Sequence, residues 1–222
     1  ADGFDALVER SSALFDAARR AGVRRIVHLS VANPSLDSPY AYFRAKAQVE
    51  AALHATGVPA AIVRPALIFG GATVLLDNLA WVLRRSPVFG VAAGGGFRVR
   101  PVHADDVARL CVELAGHTEH VTVDAVGPER PTFRELIVQV RDAAGARCWL
   151  VPMPARLVLA ASKPIGWVMR DDLLTSDELL STVDGLADTD GEATGQIALS
   201  DWLRANGATL GRRYRSERLS RR

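Results

Sequence analysis

The sequence predicts an α/β fold in which a doubly wound parallel sheet is followed by a smaller lobe. The first observation is that amphipathic stretches alternate with short apolar runs up to residue 126. The second is that the apolar runs 25–30 and 60–65 are continuous, which is typical of strands covered on both faces. The third is that Gly22 and Gly57 directly follow amphipathic stretches, where helices commonly end. Helices that alternate with buried strands build a parallel sheet.

The individual elements follow from the same patterns of apolar spacing. Helices are predicted at 4–21, 42–56, 74–85, 103–114, 133–143, 155–169 and 199–206. Strands are predicted at 25–30, 60–65, 97–102, 120–126 and 148–151. The run 67–71 is interpreted as an apolar loop, 88–96 as a glycine-rich connection, and 171–190 as an acidic segment. Thr132 and Glu135 are spaced as a capping box that opens the helix at 133.

Composition narrows the class of protein. Nearly half of the 222 residues are hydrophobic, so a packed core is expected. The formal net charge of +2 is too small to indicate a nucleic-acid partner. Cys111 and Cys148 lie far apart, which argues against a disulfide framework and favours a reducing compartment. Residues 1–9 lack the basic start of a secretory signal, and 155–169 is too short to span a bilayer. A cytoplasmic protein is therefore expected.

The chemistry is concentrated between Ser30 and Lys46. Ser30 ends a predicted buried strand, and ligands bind at the carboxyl ends of strands in open α/β sheets. Tyr42 and Lys46 are four residues apart on the next helix, so their side chains are neighbours on one face. An adjacent ammonium should lower the pKa of a tyrosine towards the range useful for acid–base catalysis. These three residues are the candidate proton-transfer site.

The tyrosine–lysine spacing also has a simpler interpretation. A tyrosine and a lysine four residues apart are common on helices, and the simpler interpretation is a packed ring beside a solvated lysine. Tyr40 competes with Tyr42, but its partner at the same spacing is Arg44, which cannot be tuned in the same way. His117 and His120 lack a third ligand nearby, so no metal site is predicted.

Several motifs occur in a fixed order along the chain. They are AlaAlaArgArgAlaGlyValArgArgIleValHisLeuSer, TyrPheArgAlaLys, ArgProAlaLeuIlePheGly, ProValHisAlaAspAspValAla and AspAlaValGlyProGluArgProThrPheArgGluLeu. In this order they resemble the atypical or extended short-chain dehydrogenase/reductase superfamily, the NAD(P)-dependent epimerase/dehydratase group. The sequence most resembles bacterial members of this group, which are themselves similar to the accessory NAD(P)-binding subunit of respiratory complex I.

The resemblance implies roles for individual residues. Tyr42 would be the catalytic acid/base, Lys46 would hold the nicotinamide ribose and tune Tyr42, and Ser30 would complete the triad. The residues implied to line the nicotinamide pocket are Pro65, Ala66 and Ile68. Those implied to face the substrate are Phe69, Asn78, Arg98 and Arg100. Asp105 or Asp106 would either organise the local turn or contact a ligand.

One family feature is missing from these residues. Members have a strand, a GxxGxxG-type turn and a helix whose N-terminus receives the pyrophosphate, and none of these is found here. The resemblance therefore implies the C-terminal portion of a Rossmann-type sheet over 1–127. A substrate-side insertion would lie around 72–118, and a smaller α+β lobe and tail would form 128–222. Weak or undetectable dinucleotide binding is expected from these residues alone.

Three functions remain open from the sequence. The leading one is an NAD(P)-dependent oxidoreductase, or an epimerase or dehydratase, with NADP favoured over NAD and a small-molecule substrate. The alternative is a non-catalytic dinucleotide-binding sensor or assembly module, and the third is a relic that binds nothing. Peripheral contact with a membrane or a protein complex is compatible with the apolar stretch at 155–169. The sequence does not indicate the substrate or the oligomeric state.

Overall fold

The computed structural model describes residues 3–71, 74–161 and 175–215. Its helices are α1 (Gly3–Arg20), α2 (Ala41–Ala55), α3 (Leu75–Arg85), α4 (Ala104–Ala115), α5 (Phe133–Ala143), α6 (155–161), α7 (Ser176–Val183) and α8 (Leu199–Asn206). Its strands are β1 (Ile26–Leu29), β2 (Ala60–Pro65), β3 (Leu67–Phe69), β4 (Val88–Ala92), β5 (Pro101–His103), β6 (Val121–Ala125) and β7 (Trp149–Met153). A single 3₁₀ turn follows β4.

The first sheet is parallel and is covered on both faces. Its strand order is β1-β2-β6, with Ile26 opposite Ala60 and Ala61 opposite Val121. Successive residues of β2 point to opposite faces: Ala60 and Ile62 pack with residues of α1 and α2, whereas Ala61 and Val63 pack with residues of α4. This arrangement explains why the run 60–65 is apolar without alternation. The predicted α/β fold with a parallel sheet is confirmed.

Two shorter parallel pairs extend the molecule beyond this sheet. β3 pairs with β5, and β4 pairs with β7. A core cluster between these strands and the helices α3, α5 and α8 includes buried residues from Phe69 to Leu210. The residues of this cluster fall on both sides of position 127, and the predicted division of the chain at that position stays a prediction.

The structure corrects three predictions about local structure. Residues 67–69 form strand β3 where a loop was predicted, and 88–92 form strand β4 where a glycine-rich connection was predicted. The strand predicted at 97–102 lies instead at 101–103. All three elements are short, and each depends on a partner distant in sequence. The acidic segment contains α7, which opens with a capping box formed by Thr175 and Glu178.

The helix predicted at 155–169 is helical over 155–161, and its remainder lies outside the described residues. No helix in the described ranges is long and apolar enough to cross a membrane. Within the same ranges, no cluster of three or more His, Cys, Asp or Glu side chains is arranged to hold a metal ion.

Candidate active site

Helix α2 carries the candidate tyrosine and lysine and is fixed by its apolar face. Val49 and Leu53 are buried against the first sheet, together with Phe15 of α1. Tyr42 lies at the exposed end of this packing, with its ring 5.9 Å from that of Phe4 and 5.5 Å from that of Phe43. Two aromatic rings therefore pack against Tyr42 at the start of the helix.

Lys46 joins Tyr42 to the end of strand β1. Its Nζ lies 5.8 Å from the centroid of the Tyr42 ring, as in a cation–π contact. The same Nζ donates a hydrogen bond of 3.2 Å to the carbonyl oxygen of Leu29, the residue before Ser30. Burial lowers the pKa of Lys46, and the carboxylate of Glu50 partly opposes that change. Lys46 thus connects α2 to the strand end where Ser30 lies.

Ser30 is placed at the carboxyl end of β1. Its amide donates to the carbonyl oxygen of Val63 at 2.8 Å, which extends the pairing of β1 with β2 by one residue. Its side chain is buried, and its Oγ has no hydrogen-bond partner among the described residues. A buried hydroxyl without a partner costs free energy. Ser30 therefore keeps an unused hydroxyl at this strand end, and its contact with a ligand stays a prediction.

The expected effect of Lys46 on Tyr42 is not observed. Burial raises the pKa of Tyr42 above its ordinary value of 10.0, and the nearby carboxylate of Glu178 raises it further. Desolvation and a like charge both disfavour the phenolate. The sequence-based expectation of a lowered pKa was therefore wrong for the protein by itself. The first reason is the burial of the ring, and the second is that α7, distant in the sequence, contributes the charge of Glu178.

Tyr40, the competing tyrosine, is engaged elsewhere. Its hydroxyl forms a short hydrogen bond with a carboxylate oxygen of Asp184. Burial together with this bond raises the pKa of Tyr40 to about 12. Asn33 is in the left-handed backbone region with φ of 53° and donates to the carbonyl oxygens of Leu186 and Asp188. The loop between β1 and α2 is thereby fastened to the segment that follows α7.

The residues predicted to line a nicotinamide pocket lie at the carboxyl end of β2 and directly after it. Pro65 closes β2 and is buried, Ala66 links β2 to β3, and both follow the segment that pairs with β1. The amide of Ala32 donates to the carbonyl oxygen of Pro65. Ile68 packs against the cluster on the α4 side of the sheet. Their roles in cofactor binding stay predictions.

The residues predicted to face a substrate are placed differently from one another. Phe69 is fully buried and makes edge contacts with His103 and Trp202. Arg100 is buried, and its guanidinium donates to the carbonyl oxygens of Gly127, Thr189 and Gly191. Phe69 therefore packs in the core, and Arg100 anchors loops.

The other two predicted substrate residues are less enclosed. Arg98 is exposed and donates to the carbonyl oxygen of Arg130 at 2.8 Å. Asn78 lies on α3, and its amide both donates to and accepts from the backbone of Arg215. Asn78 also lines an apolar cavity, so it is the member of this predicted set that borders an enclosed space. Contact of either residue with a substrate stays a prediction.

The cavity bordered by Asn78 has a volume of about 430 Å³. It lies between α3, β4, α5, β7, α6 and α7, and most of its walls are aliphatic or aromatic. Its apolar side chains include Leu67, Leu75, Leu79, Val82, Val88, Phe89, Phe133, Leu136, Met153 and Leu179. We call it the apolar cavity. The sequence showed Leu75, Leu79 and Val82 as one helix stripe but gave no sign that this stripe faces an open space.

The outer side of α3 is held by residues 208–215, which we call the C-terminal strap. Arg84 of α3 donates to the carbonyl oxygens of Ala208 and Leu210, and Arg85 donates to that of Gly211. Asp77 forms an ion pair of 2.7 Å with Arg215. The strap therefore braces the helix that supplies one wall of the apolar cavity.

Asp106 has structural partners within the described residues, and contact of Asp105 or Asp106 with a ligand stays a prediction. Its buried carboxylate accepts hydrogen bonds of 2.9 Å from the amides of Gln196 and Ile197 and also contacts Arg109. Asp105 is exposed in the first turn of α4. Asp106 therefore anchors the segment leading into α8.

No family model matches the chain. The mitochondrial 40 kDa subunit of NADH-ubiquinone oxidoreductase from Neurospora crassa is 26% identical over 183 residues, 79% of this chain and 46% of that protein. The mitochondrial NADH dehydrogenase (ubiquinone) 1 alpha subcomplex subunit 9 from Arabidopsis thaliana is 27% identical over 146 residues, 64% of this chain and 36% of that protein. The chain thus spans less than half the length of these curated relatives.

Solved structures resemble the chain over more of its length. Triphenylmethane reductase from Citrobacter sp. matches with a TM-score of 0.73 and 17% identity, over 95% of this chain and 74% of that chain. A nucleoside-diphosphate-sugar epimerase from Staphylococcus aureus matches with a TM-score of 0.71 and 16% identity, over 92% and 73%. An NADPH-dependent quinone oxidoreductase from Escherichia coli, complexed with NADPH, matches with a TM-score of 0.69 and 18% identity, over 88% and 70%.

The fold is that of the NAD(P)-dependent epimerases and reductases. The resemblance drawn from the ordered motifs is confirmed, because the curated relatives are distantly homologous complex I subunits and the structural neighbours are reductases and epimerases. Fold alone does not assign a reaction. The activity of this chain has to be inferred from its own site.

Proposed function

We propose that this chain carries the proton-transfer part of an NAD(P)-dependent oxidoreductase or epimerase-type enzyme. The observation that supports it most is the meeting of three groups at the carboxyl end of β1. Ser30 offers a buried hydroxyl that has no partner in the described part of the chain. Lys46 donates a hydrogen bond to the carbonyl of Leu29, and its ammonium lies at the ring of Tyr42. The fold of the reductases and epimerases places ligands at such a strand end.

In this proposal a bound nicotinamide accepts or returns hydride, and the chain's own residues manage the proton. Tyr42 holds its proton at neutral pH, and burial and Glu178 raise its pKa still further above the ordinary value of 10.0. It is therefore suited to donate a hydrogen bond to a substrate oxygen and to act first as an acid. Ser30 would hold the same oxygen, and Lys46 would bind the ribose and stabilise the charge left on Tyr42.

NADPH is the favoured dinucleotide, with NADH as the comparison. The structurally similar quinone oxidoreductase contains NADPH, which supports trying NADPH first. The substrate is a small molecule. A cytoplasmic location is also part of the proposal. The names of the curated relatives place those proteins in mitochondria.

The test compares two tyrosine variants in the full gene product. Reduction of menadione and of a panel of carbonyl compounds is followed through NADPH oxidation, and NADPH affinity is measured by fluorescence titration. Tyr42→Phe should reduce turnover by about 100-fold or more, with little change in affinity, since positioned acid–base groups contribute on that scale. Tyr40→Phe is the matched control, because that hydroxyl is engaged with Asp184. Equal turnover in wild type and Tyr42→Phe refutes a catalytic role for Tyr42.

A second candidate is a non-catalytic dinucleotide-binding sensor or assembly module. Two observations favour it: the raised pKa of Tyr42, and curated relatives that are named as subunits of a respiratory complex. The same titration separates the two functions. A sensor would bind NADPH and lose affinity in Ser30→Ala, yet the wild type and both tyrosine variants would give no turnover with any acceptor.

A further inference from the structure

The apolar cavity has a lining that restricts what it can bind. Its lining contains no charged side chain within the described residues, and its polar side chains there are Asn78 and Ser86. Both are already satisfied by the backbone. The Asn78 amide donates to and accepts from Arg215, at 2.9 and 3.0 Å, and the Ser86 hydroxyl donates to the carbonyl oxygen of Val88 at 2.5 Å.

A charged ligand would lose its hydration in this cavity without gaining a partner. An unpaired ion in an apolar environment is strongly disfavoured, and an unpaired polar group is disfavoured to a smaller degree. A diphosphate would therefore be excluded unless it stayed outside the cavity. An uncharged ring system would replace water with apolar contacts and is favoured. The volume of about 430 Å³ lies within the usual range for small-molecule sites.

The cavity shares two structural elements with the candidate active site. Leu179 of α7 lines the cavity, and the preceding residue, Glu178, is one cause of the raised pKa of Tyr42. Leu67 also lines the cavity, two residues after Pro65 at the end of β2. Helix α7 and the β2–β3 connection therefore contribute residues to the cavity and to the surroundings of the candidate site.

We propose that the apolar cavity binds a neutral, largely apolar small molecule, and that it excludes nucleotide sugars. The binding property follows from the lining alone. Its assignment as the substrate class rests on the proposed function. The geometry thus favours apolar reductase-type substrates over the charged substrates of a sugar-nucleotide epimerase.

The test uses the neutral fluorescent probe N-phenyl-1-naphthylamine, which is excited where tryptophan does not absorb. The wild-type chain should bind it saturably at one site. Val82→Trp fills the cavity from α3 and should weaken binding by at least about tenfold, the scale on which apolar sites respond to a change in shape. Val112→Trp is the matched control, because Val112 is 76% exposed on α4. The Val112→Trp protein should bind the probe as the wild type does.

A second variant guards against misfolding of the first. Leu75 lines the cavity but is 48% exposed, so Leu75→Arg can hydrate its charge while placing it at the cavity edge. It should also weaken probe binding by about tenfold, with a thermal unfolding midpoint close to that of Val112→Trp. Unchanged probe affinity in a folded Leu75→Arg or Val82→Trp protein overturns the proposal.

Competition tests the exclusion of charged ligands. Neutral menadione should displace the probe, and UDP-glucose should not. Displacement by UDP-glucose at equal concentration overturns the exclusion. The probe assay needs no turnover, so its outcome is separate from that of the proposed function. If the wild type and every variant were inactive but bound the probe, the proposed function would fail and the ligand class would stand. If the protein were active but did not bind the probe, the ligand class would fail and the proposed function would stand.

Discussion

Replacing Arg64 with methionine tests the ion pair that joins α2 to β2 behind the candidate site. The Glu50 carboxylate has an exposed fraction of only 8%, and it accepts two hydrogen bonds from Arg64, at 3.0 and 2.5 Å. These bonds raise the pKa of Arg64 above its usual value. Methionine keeps most of the apolar stem of Arg64 and removes the charge. The variant therefore leaves a buried carboxylate without its partner.

The magnitude follows from this burial. Removing one partner of a fully buried pair costs about 3–5 kcal/mol of unfolding free energy. The Arg64 side chain is 30% exposed, so water can reach part of the vacated space and the lower end of that range, about 3 kcal/mol, is expected. For comparison, Arg204 and Asp201 form a pair whose side chains are 76% and 66% exposed, and Arg204→Met should cost less than about 1 kcal/mol.

Urea unfolding at pH 7 measures the effect, and a double variant identifies its cause. Glu50→Leu/Arg64→Met should recover much of the stability, because it buries no charge. A loss below about 1 kcal/mol in Arg64→Met, or a double variant as unstable as Arg64→Met, would refute the reasoning.

Two further predictions concern buried groups. Burial, aided by the charge of Lys46, lowers the pKa of His28 from 6.5 to about 4, and its Nε2 has no hydrogen-bond partner among the described residues. The unfolded chain therefore takes up a proton before the folded one. Stability should fall by as much as about 3 kcal/mol as the pH decreases from about 6.5 to about 4, and His28→Leu should flatten that dependence in urea titrations. If the unfolding free energy of His28→Leu changed with pH as steeply as that of the wild type, other groups would be responsible for the pH dependence. Asp106→Ala should lower the unfolding free energy by about 2–4 kcal/mol, because the amides of Gln196 and Ile197 lose a buried carboxylate acceptor. Asp105→Ala, at a side chain that is 80% exposed, should cost less than about 1 kcal/mol, and equal losses in the two variants would contradict the anchoring role of Asp106.

Local sequence signals predicted the parts of the site that depend on local structure. The spacing of Tyr42 and Lys46 required only that residues 42–46 be helical, and helix α2 meets that requirement. The capping box of Thr132 and Glu135 was likewise readable from four residues. The same holds for β2, whose apolar run reflects helices on both faces of the sheet.

Long-range contacts explain what the sequence did not reveal. The pKa of Tyr42 depends on Glu178, and the engagement of Tyr40 depends on Asp184, both supplied by a segment far along the chain. The family resemblance implied that Arg100 faces a substrate, and that role stays a prediction. Its guanidinium donates to carbonyls of the 127 and 189–191 loops, contacts that no local sequence pattern indicates.

The C-terminal strap has a consequence for the order in which the protein is made. Its hydrogen bonds to α3 span 124 to 137 residues of sequence. A ribosome adds that length in a time on the order of ten seconds. During this interval α3 has already emerged, but the backbone carbonyls that later accept from Arg84 and Arg85 have not. A nascent chain that has not reached residue 208 contains every described residue lining the apolar cavity, yet the helix supplying four of them still lacks its outer support.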